Sequence, residues 1–294
     1  MRSGTVAVIG RANAGKSTLI NVLVGEKVAI VSPKPQTTRD RILGVLTREA
    51  YQIVFVDTPG LYKSRNALTE EMMKTTETTS RDVDAILYVL DGHAGVREED
   101  AGLIGKYAAL GVPLIVAYTK IDIMPKEKIP DDVRFLSGAG VDADIYPVSA
   151  RKGQNLKKLE EGIAAMLPEG DMLFPEDVVS DRSEKFMIAE LMREKILLKY
   201  DEEIPHGVAV VVHTFRRRES GTYEIGLDIV CEKQAHKAIL IGKQGKALKE
   251  AASFARKDME KFLGGKVFLT TYVKVREDWR DSARLLKEFG YGEE

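Results

Sequence analysis

Short apolar runs return at regular intervals through roughly the first half of the chain: TVAVIG, YQIVFVDTPG, DAILYVLDG, VPLIVAYTK and ADIYPVSA. Each is strand-length and rich in β-branched residues, and the stretches between them carry the three-to-four-residue spacing of amphipathic helices. Alternation of this kind predicts an α/β domain: a mainly parallel sheet, apolar on both sides, with helices on both faces. From Leu167 to Ser180 the text LPEGDMLFPEDVVS breaks every period with prolines, a glycine and acids, which reads as a connection between domains.

Beyond that break the order changes. A helix (SEKFMIAELMREKILLKY) precedes two alternating strands (GVAVVVHTF and YEIGLDIVCE) joined by the polar turn RRRESG. A short helix, a glycine-bounded loop, the long helix KALKEAASFARKDMEKFLG and the strand KVFLTTYVKV follow, and DWRDSARLLKEFGY reads as a closing helix. The second domain is therefore expected to be small and α+β. The expected boundaries are 1–167, a linker at 168–180, and 181–294.

Length agrees with two domains, since 294 residues can bury two cores. An apolar fraction of 44% with 30% charged residues excludes disordered and collagen-like classes. Cys231 is the only cysteine, so no internal disulfide can form, and it reads as a small buried strand residue. With no apolar run approaching the ~18 residues of a membrane span, a cytoplasmic protein is expected. The net charge of -1 hides an asymmetry: from Lys233 to Arg276 there are eleven cations and three acids, an excess of eight. Such a cluster suits a polyanion, and equally a solvated face.

The first chemistry-bearing motif is Gly10-Arg11-Ala12-Asn13-Ala14-Gly15-Lys16-Ser17, followed by Thr18. It fits GxxxxGK[ST] directly after a strand and at the start of a helix, the context a P-loop requires. The glycines let backbone amides wrap phosphate oxygens, Lys16 brings a point charge to the β and γ oxygens, and Ser17 offers a hydroxyl to Mg2+. Thr119-Lys120-Ile121-Asp122 ends a later strand. A carboxylate at Asp122 can accept from both N1–H and the 2-amino group of guanine, a donor pair adenine lacks. The element resembles NKxD of translation-factor-type GTPases, with Thr119 replacing asparagine. Threonine cannot reproduce an amide's two-sided contact, so somewhat weaker binding is expected, with specificity kept by Asp122. Ser149-Ala150-Arg151, similar to the SAK element, is expected to close over the base.

Asp57-Thr58-Pro59-Gly60 matches the DxxG switch, Asp57 reaching the metal through water and Gly60 offering its amide to the γ-phosphate. Gln36-Thr37-Thr38-Arg39-Asp40 resembles the first switch. Thr38 is assigned to Mg2+, with Thr37 as the alternative. Leu61 stands where Ras-like proteins place a water-orienting glutamine, and leucine cannot orient water. Asn13 resembles a position that binds K+ in some related GTPases, and a cation there could stabilise transition-state charge; the alternative is a loop hydrogen-bonder with no ion. Lys16, Thr38, Gly60 and Asn13 are the expected catalytic set. His93, in the turn DGHAG, reads as a surface residue.

Ile241-Gly242-Lys243-Gln244-Gly245-Lys246 lies between two helical stretches and resembles the GxxG loop of type II KH domains, which clamps the backbone of about four single-stranded nucleotides. Arg216, Arg217 and Arg218 suit RNA phosphates or a soluble turn equally, whereas Trp279, Phe289 and Tyr291 read as core. A single G domain with PQTTRD and DTPG, then DRSEKF and a GKQG-containing KH domain, resembles the Era-type GTPases of the TrmE-Era-EngA-YihA-Septin-like group over nearly the whole chain. That resemblance implies slow Mg2+-dependent conversion of GTP to GDP, binding of the 3′ end of small-subunit (16S) rRNA, and a role in 30S subunit assembly. It also implies a monomer with some peripheral association at the inner membrane. The competing reading is a GTPase whose C-terminal domain binds a protein.

Overall fold

The computed structural model describes residues 1–60 and 66–291. They fall into two compact units: the described residues of Met1–Ala29, Thr38–Lys63 and Met72–Asp181 in one, and those of Ile30–Thr37, Ser64–Glu71 and Arg182–Glu294 in the other.

The first unit holds β1 (Arg2–Ile9), α1 (Lys16–Val24), β2 (Ile42–Thr47), β3 (Tyr51–Asp57), most of α2 (Ala67–Thr79), β4 (Ala85–Asp91), α3 (Glu98–Ala108), β5 (Leu114–Thr119), α4 (Lys128–Gly138), β6 (Asp144–Pro147) and α5 (Leu156–Met166). Its sheet runs β2-β3-β1-β4-β5-β6. All neighbours are parallel except β2 and β3. Fully buried Val6, Val8, Phe55, Leu87 and Ala117 face one core, and Ala7, Ile9, Tyr88, Val116 and Tyr118 face the other. This period of two with both faces covered is why the strands read as unbroken apolar runs. Because β1 lies between β3 and β4, the chain reverses direction across the sheet at the carboxyl end of β1. That switch point is where open α/β sheets form a ligand crevice.

Strand β2 is not among the runs picked out by sequence. Residues 168–180 carry no helix or named strand; they lie along the first unit, Val179 O accepting from Val45 N at 2.9 Å and Gln52 Oε1 from Leu173 N at 2.8 Å.

The second unit contains α6 (Glu184–Lys199), β7 (Ala209–Arg217), β8 (Tyr223–Cys231), α7 (Gln234–Ile241), α8 (Lys246–Leu263), β9 (Val267–Val275) and α9 (Ala283–Glu288). Its sheet is β7-β8-β9, with β7 antiparallel and β9 parallel to β8. Ile188, Leu191 and Met192 of α6 and Ala251, Ala255 and Met259 of α8 form one core with Ile225, Leu227 and Ile229 of β8. The stretch DWRDSARLLKEFGY is not one helix. Trp279–Asp281 form a 3-10 turn and α9 begins afresh after Ser282, whose hydroxyl accepts from Leu285 N at 3.3 Å, a cap in place of a helix interior. Trp279 is fully buried, donating Nε1–H to Gly207 O at 3.0 Å, with the rings of Phe289 and Tyr291 5.6 and 5.8 Å away. Among the described residues no helix is long and apolar enough to cross a membrane.

Candidate nucleotide site and glycine loop

The loops at the carboxyl ends of β1, β3, β5 and β6 bring the first unit's motifs together. Val8 of β1 pairs with Asp57 of β3, so the P-loop and the DTPG turn leave the sheet side by side. Gly10 adopts φ +154, and a Cβ there would lie 2.3 Å from Val89 O, so the loop can start only with glycine. Lys16 opens α1 and is buried; its Nζ donates to Gly10 O at 3.0 Å and Arg11 O at 3.2 Å. Burial pushes its ammonium down to about 8, against the opposing pull of the Asp57 carboxylate. A charge held on so costly a footing gains strongly from an added anion.

Asp57 is completely buried. Its Oδ2 accepts from Ser17 Oγ at 2.7 Å and Thr38 Oγ1 at 3.2 Å, while those two hydroxyls lie 3.0 Å apart. Its Oδ1 has no hydrogen-bond partner among the described residues. Burial raises the carboxyl's pKa, opposed by Lys16 and by the two hydroxyls. Two hard hydroxyl oxygens and an orphaned carboxylate oxygen are the donor set that suits Mg2+, directly or through water. Thr37 is placed differently: its Oγ1 donates to Lys34 O at 2.6 Å, inside its own turn. Thr58 Oγ1 donates to Val8 O at 2.8 Å, Pro59 O accepts from Thr76 Oγ1 at 3.2 Å, and a Cβ on Gly60 would meet Ala12 Cα at 3.0 Å. Leu61 lies outside the described residues.

On the base side, Asp122 Oδ1 accepts from Ser149 Oγ at 2.7 Å, a bond that holds its carboxyl below the usual range. Ser149 is buried, Ala150 half-buried and Arg151 exposed, and Ser149 Oγ also accepts from Lys152 N at 3.1 Å. Thr119 is turned away from that carboxylate: its Oγ1 lies 2.8 Å from Ala14 O and 3.0 Å from Leu90 O. Lys120, at φ +62, stretches its Nζ to Asn13 O at 2.8 Å and Asp91 Oδ2 at 2.6 Å. Ile121 N donates to Val148 O at 3.4 Å. The strap Thr119–Asp122 is thus bound to the P-loop at two carbonyls. Sequence reading missed Asp91, whose only signal was an acid at a strand end. Around the loop, Arg11 pairs with buried Asp100 at 3.4 Å, Asn13 stands exposed at φ +63, Ala14 is buried, and Thr18 sits on the first turn of α1. His93 is an exposed turn residue, its Nδ1 3.1 Å from Ile123 O.

Matches to known proteins agree with this geometry. Residues 5–120 match the family described as 50S ribosome-binding GTPase, and 203–280 the KH domain. The GTPase Era of Clostridium kluyveri is 43% identical over 291 residues, 99% of each chain. The chain belongs to the Era family of GTPases. GTPase Era of Clostridium botulinum, strain Loch Maree, is likewise 43% identical over 290 residues, 99% of this chain and 98% of its own. An Aquifex aeolicus Era variant bound to GDP and AlF4- superposes with TM-score 0.95 at 36% identity, and Era in complex with MgGDPNP and nucleotides 1506–1542 of 16S ribosomal RNA with TM-score 0.95 at 37%, each covering both chains fully.

In this Era-family GTPase the glycine loop lies between α7 and α8. Ile241 ends α7 and is half-buried; Gly242, Gln244 and Gly245 have φ of +70, +54 and +74. A Cβ on Gly242 would stand 2.6 Å from the Ala247 Cβ. These positive-φ residues leave Lys243 and Gln244 exposed just ahead of α8 and Lys246 exposed as its first residue. The arginines of the β7–β8 turn are partly committed: Arg216 and Arg218 both bond Glu224 Oε2, at 3.0 and 2.8 Å.

Proposed function

We propose that residues 1–167 form a GTP-hydrolysing switch, joined through 168–180 to an RNA-binding KH domain, 181–294, which takes the 3′ end of small-subunit rRNA and assists 30S assembly. One observation carries this reading: a phosphate-ready P-loop and an exposed, doubly cationic GxxG loop occur in one chain whose relatives include an Era solved with MgGDPNP and a 16S rRNA fragment. Lys16 and the P-loop amides would hold the β and γ phosphates, Asp122 and Ser149 the guanine, and the amide of Gly60 the γ-phosphate. Ser17 and Thr38 would ligate Mg2+, with Asp57 behind a water; the ion supplies charge neutralisation at the transferring phosphoryl group.

Asn13 is the residue best placed to bring K+ to the phosphates, since it is exposed on the loop and its own carbonyl is fixed by Lys120. A monomer in the cytoplasm fits this reading. The peripheral inner-membrane association implied by the resemblance would need no spanning helix, and among the described residues no helix is long and apolar enough to be one.

Anisotropy of a labelled RNA with the small-subunit 3′ sequence tests the assignment. Wild-type protein should bind it, and Gly242→Asp combined with Gly245→Asp should weaken binding at least about tenfold, as each added carboxylate faces phosphate. Unchanged retention by that variant, with GTP binding intact, would assign the second domain to a protein partner instead.

A further inference from the structure

Segment Ile30–Thr37 belongs to the same compact unit as helix α6, and α6 with the two residues just past it grips the segment at three places. Buried Glu194 accepts from Val31 N at 2.9 Å. Lys34 Nζ donates to Tyr200 O, just past the helix end, and to Asp201 Oδ1 at 2.8 Å. Arg193, 1% exposed, donates to Gln36 O at 3.4 Å and to Thr37 O. The guanidinium is held on its other edge by Glu190, with Nε–Oε1 at 2.6 Å and Nη2–Oε2 at 2.5 Å.

Stability alone does not explain this arrangement. A buried ion pair is commonly no more stabilising than apolar side chains of the same volume, because each charge loses its hydration. What the two-pronged pair does provide is orientation: it fixes the plane of the guanidinium and aims the remaining N–H groups at the two carbonyls. The carbonyl of Thr37 and the Cα of Thr38 lie in one peptide plane. An anchor on that carbonyl therefore sets the starting point of the Thr38 side chain, whose hydroxyl lies 3.0 Å from Ser17 Oγ and 3.2 Å from Asp57 Oδ2.

We infer that Arg193, held by Glu190, is a positioning residue for GTP hydrolysis: through the Thr37 carbonyl it presents the Thr38 hydroxyl to the magnesium-ligand set. The inference rests on the reading of Thr38 as a Mg2+ ligand. First-switch contacts to metal form with the triphosphate and are released on hydrolysis, so the effect falls on GTP and spares GDP.

The test uses the full chain with Arg193→Met, Arg193→Lys, Glu190→Gln and Thr38→Ala, measuring Mg2+-dependent affinity for GDP and for a non-hydrolysable GTP analogue, together with kcat and KM. Arg193→Met should lower analogue affinity and kcat about tenfold or more, the cost of losing a charge-assisted hydrogen bond, with GDP affinity unchanged within about twofold. Arg193→Lys should recover part of the loss. In a Thr38→Ala background, Arg193→Met should add less than about twofold, because the two act in series. Equal weakening of GDP and GTP, or a full-sized effect without the Thr38 hydroxyl, would overturn the inference. If Arg193→Met does not fold, Glu190→Gln makes the same comparison with the arginine retained. Should Thr38→Ala alone leave the Mg2+ dependence of analogue binding untouched, the ligand reading itself fails and the inference with it.

Discussion

Thr119 Oγ1 donates toward Ala14 O across 2.8 Å, linking the end of β5 to the middle of the phosphate loop. The hydroxyl replaces an amide in the guanine-reading motif, yet in this conformation its bonds go to the phosphate side. Thr119→Val, of nearly the same shape, would remove the single hydroxyl proton shared between the buried Ala14 and Leu90 carbonyls. The expected result is a loss of about 5- to 30-fold in affinity, equal for guanosine and inosine nucleotides, from one buried hydrogen bond of about 1–2 kcal/mol. Asp122→Ala, by contrast, should remove discrimination between guanine and hypoxanthine, because only guanine offers the 2-amino donor. Competition binding with GDP and IDP checks both.

Lys16 gives nucleotide binding a pH dependence of known sign. With its ammonium at about 8 in the free protein and raised by bound phosphate, the protonated form binds more tightly. Affinity for GDP should be level below pH 8 and fall toward about tenfold per pH unit above it, until the pKa of the complex is reached. Titration calorimetry at pH 7 and 9 would reveal the drop; a flat profile would mean that Lys16 holds its proton equally well over this range with and without bound phosphate.

Gly10→Ala forces a methyl group to within 2.3 Å of the Val89 carbonyl. Strand β4 cannot yield without disturbing the buried sheet, so the loop must move. Nucleotide affinity should fall at least about tenfold, with a stability loss of about 1–3 kcal/mol seen in thermal melts.

Trp279 is the chain's only tryptophan and is fully buried in the second unit. Trp279→Ala should cost that unit about 3–5 kcal/mol. In the wild type, intrinsic fluorescence should follow unfolding of the second unit while bound labelled nucleotide follows the first. Coincident transitions at every denaturant concentration, with and without GDP, would show instead that the units unfold together.

The parallel strands, P-loop, DTPG turn, base strap and GKQG loop were all legible because each rests on local spacing and chain order. Strand β2 was not. Gly44 interrupts its apolar run, and that glycine exists for packing: a Cβ there would lie 2.9 Å from Ile20 Cγ2 of α1. The role of Thr119 was half visible. Its lost amide could be read from sequence, but the direction of its hydroxyl depends on where β1 and β5 put their loops. Arg193 gave no signal at all, since Glu-x-x-Arg on a helix has the spacing of an ordinary solvated pair. Its guanidinium meets Gln36 and Thr37 only through the return of Ile30–Thr37 against α6, more than 150 residues away in sequence.

That long-range return bears on where the chain can be cut. A gene fragment ending at Asp181 would keep every signature by which the GTPase is recognised, yet it would strip Val31, Lys34 and Thr37 of their partners on and beside α6. Kinetic constants measured on such a fragment would describe a loosened first switch, and the missing half would enter them as a defect of catalysis.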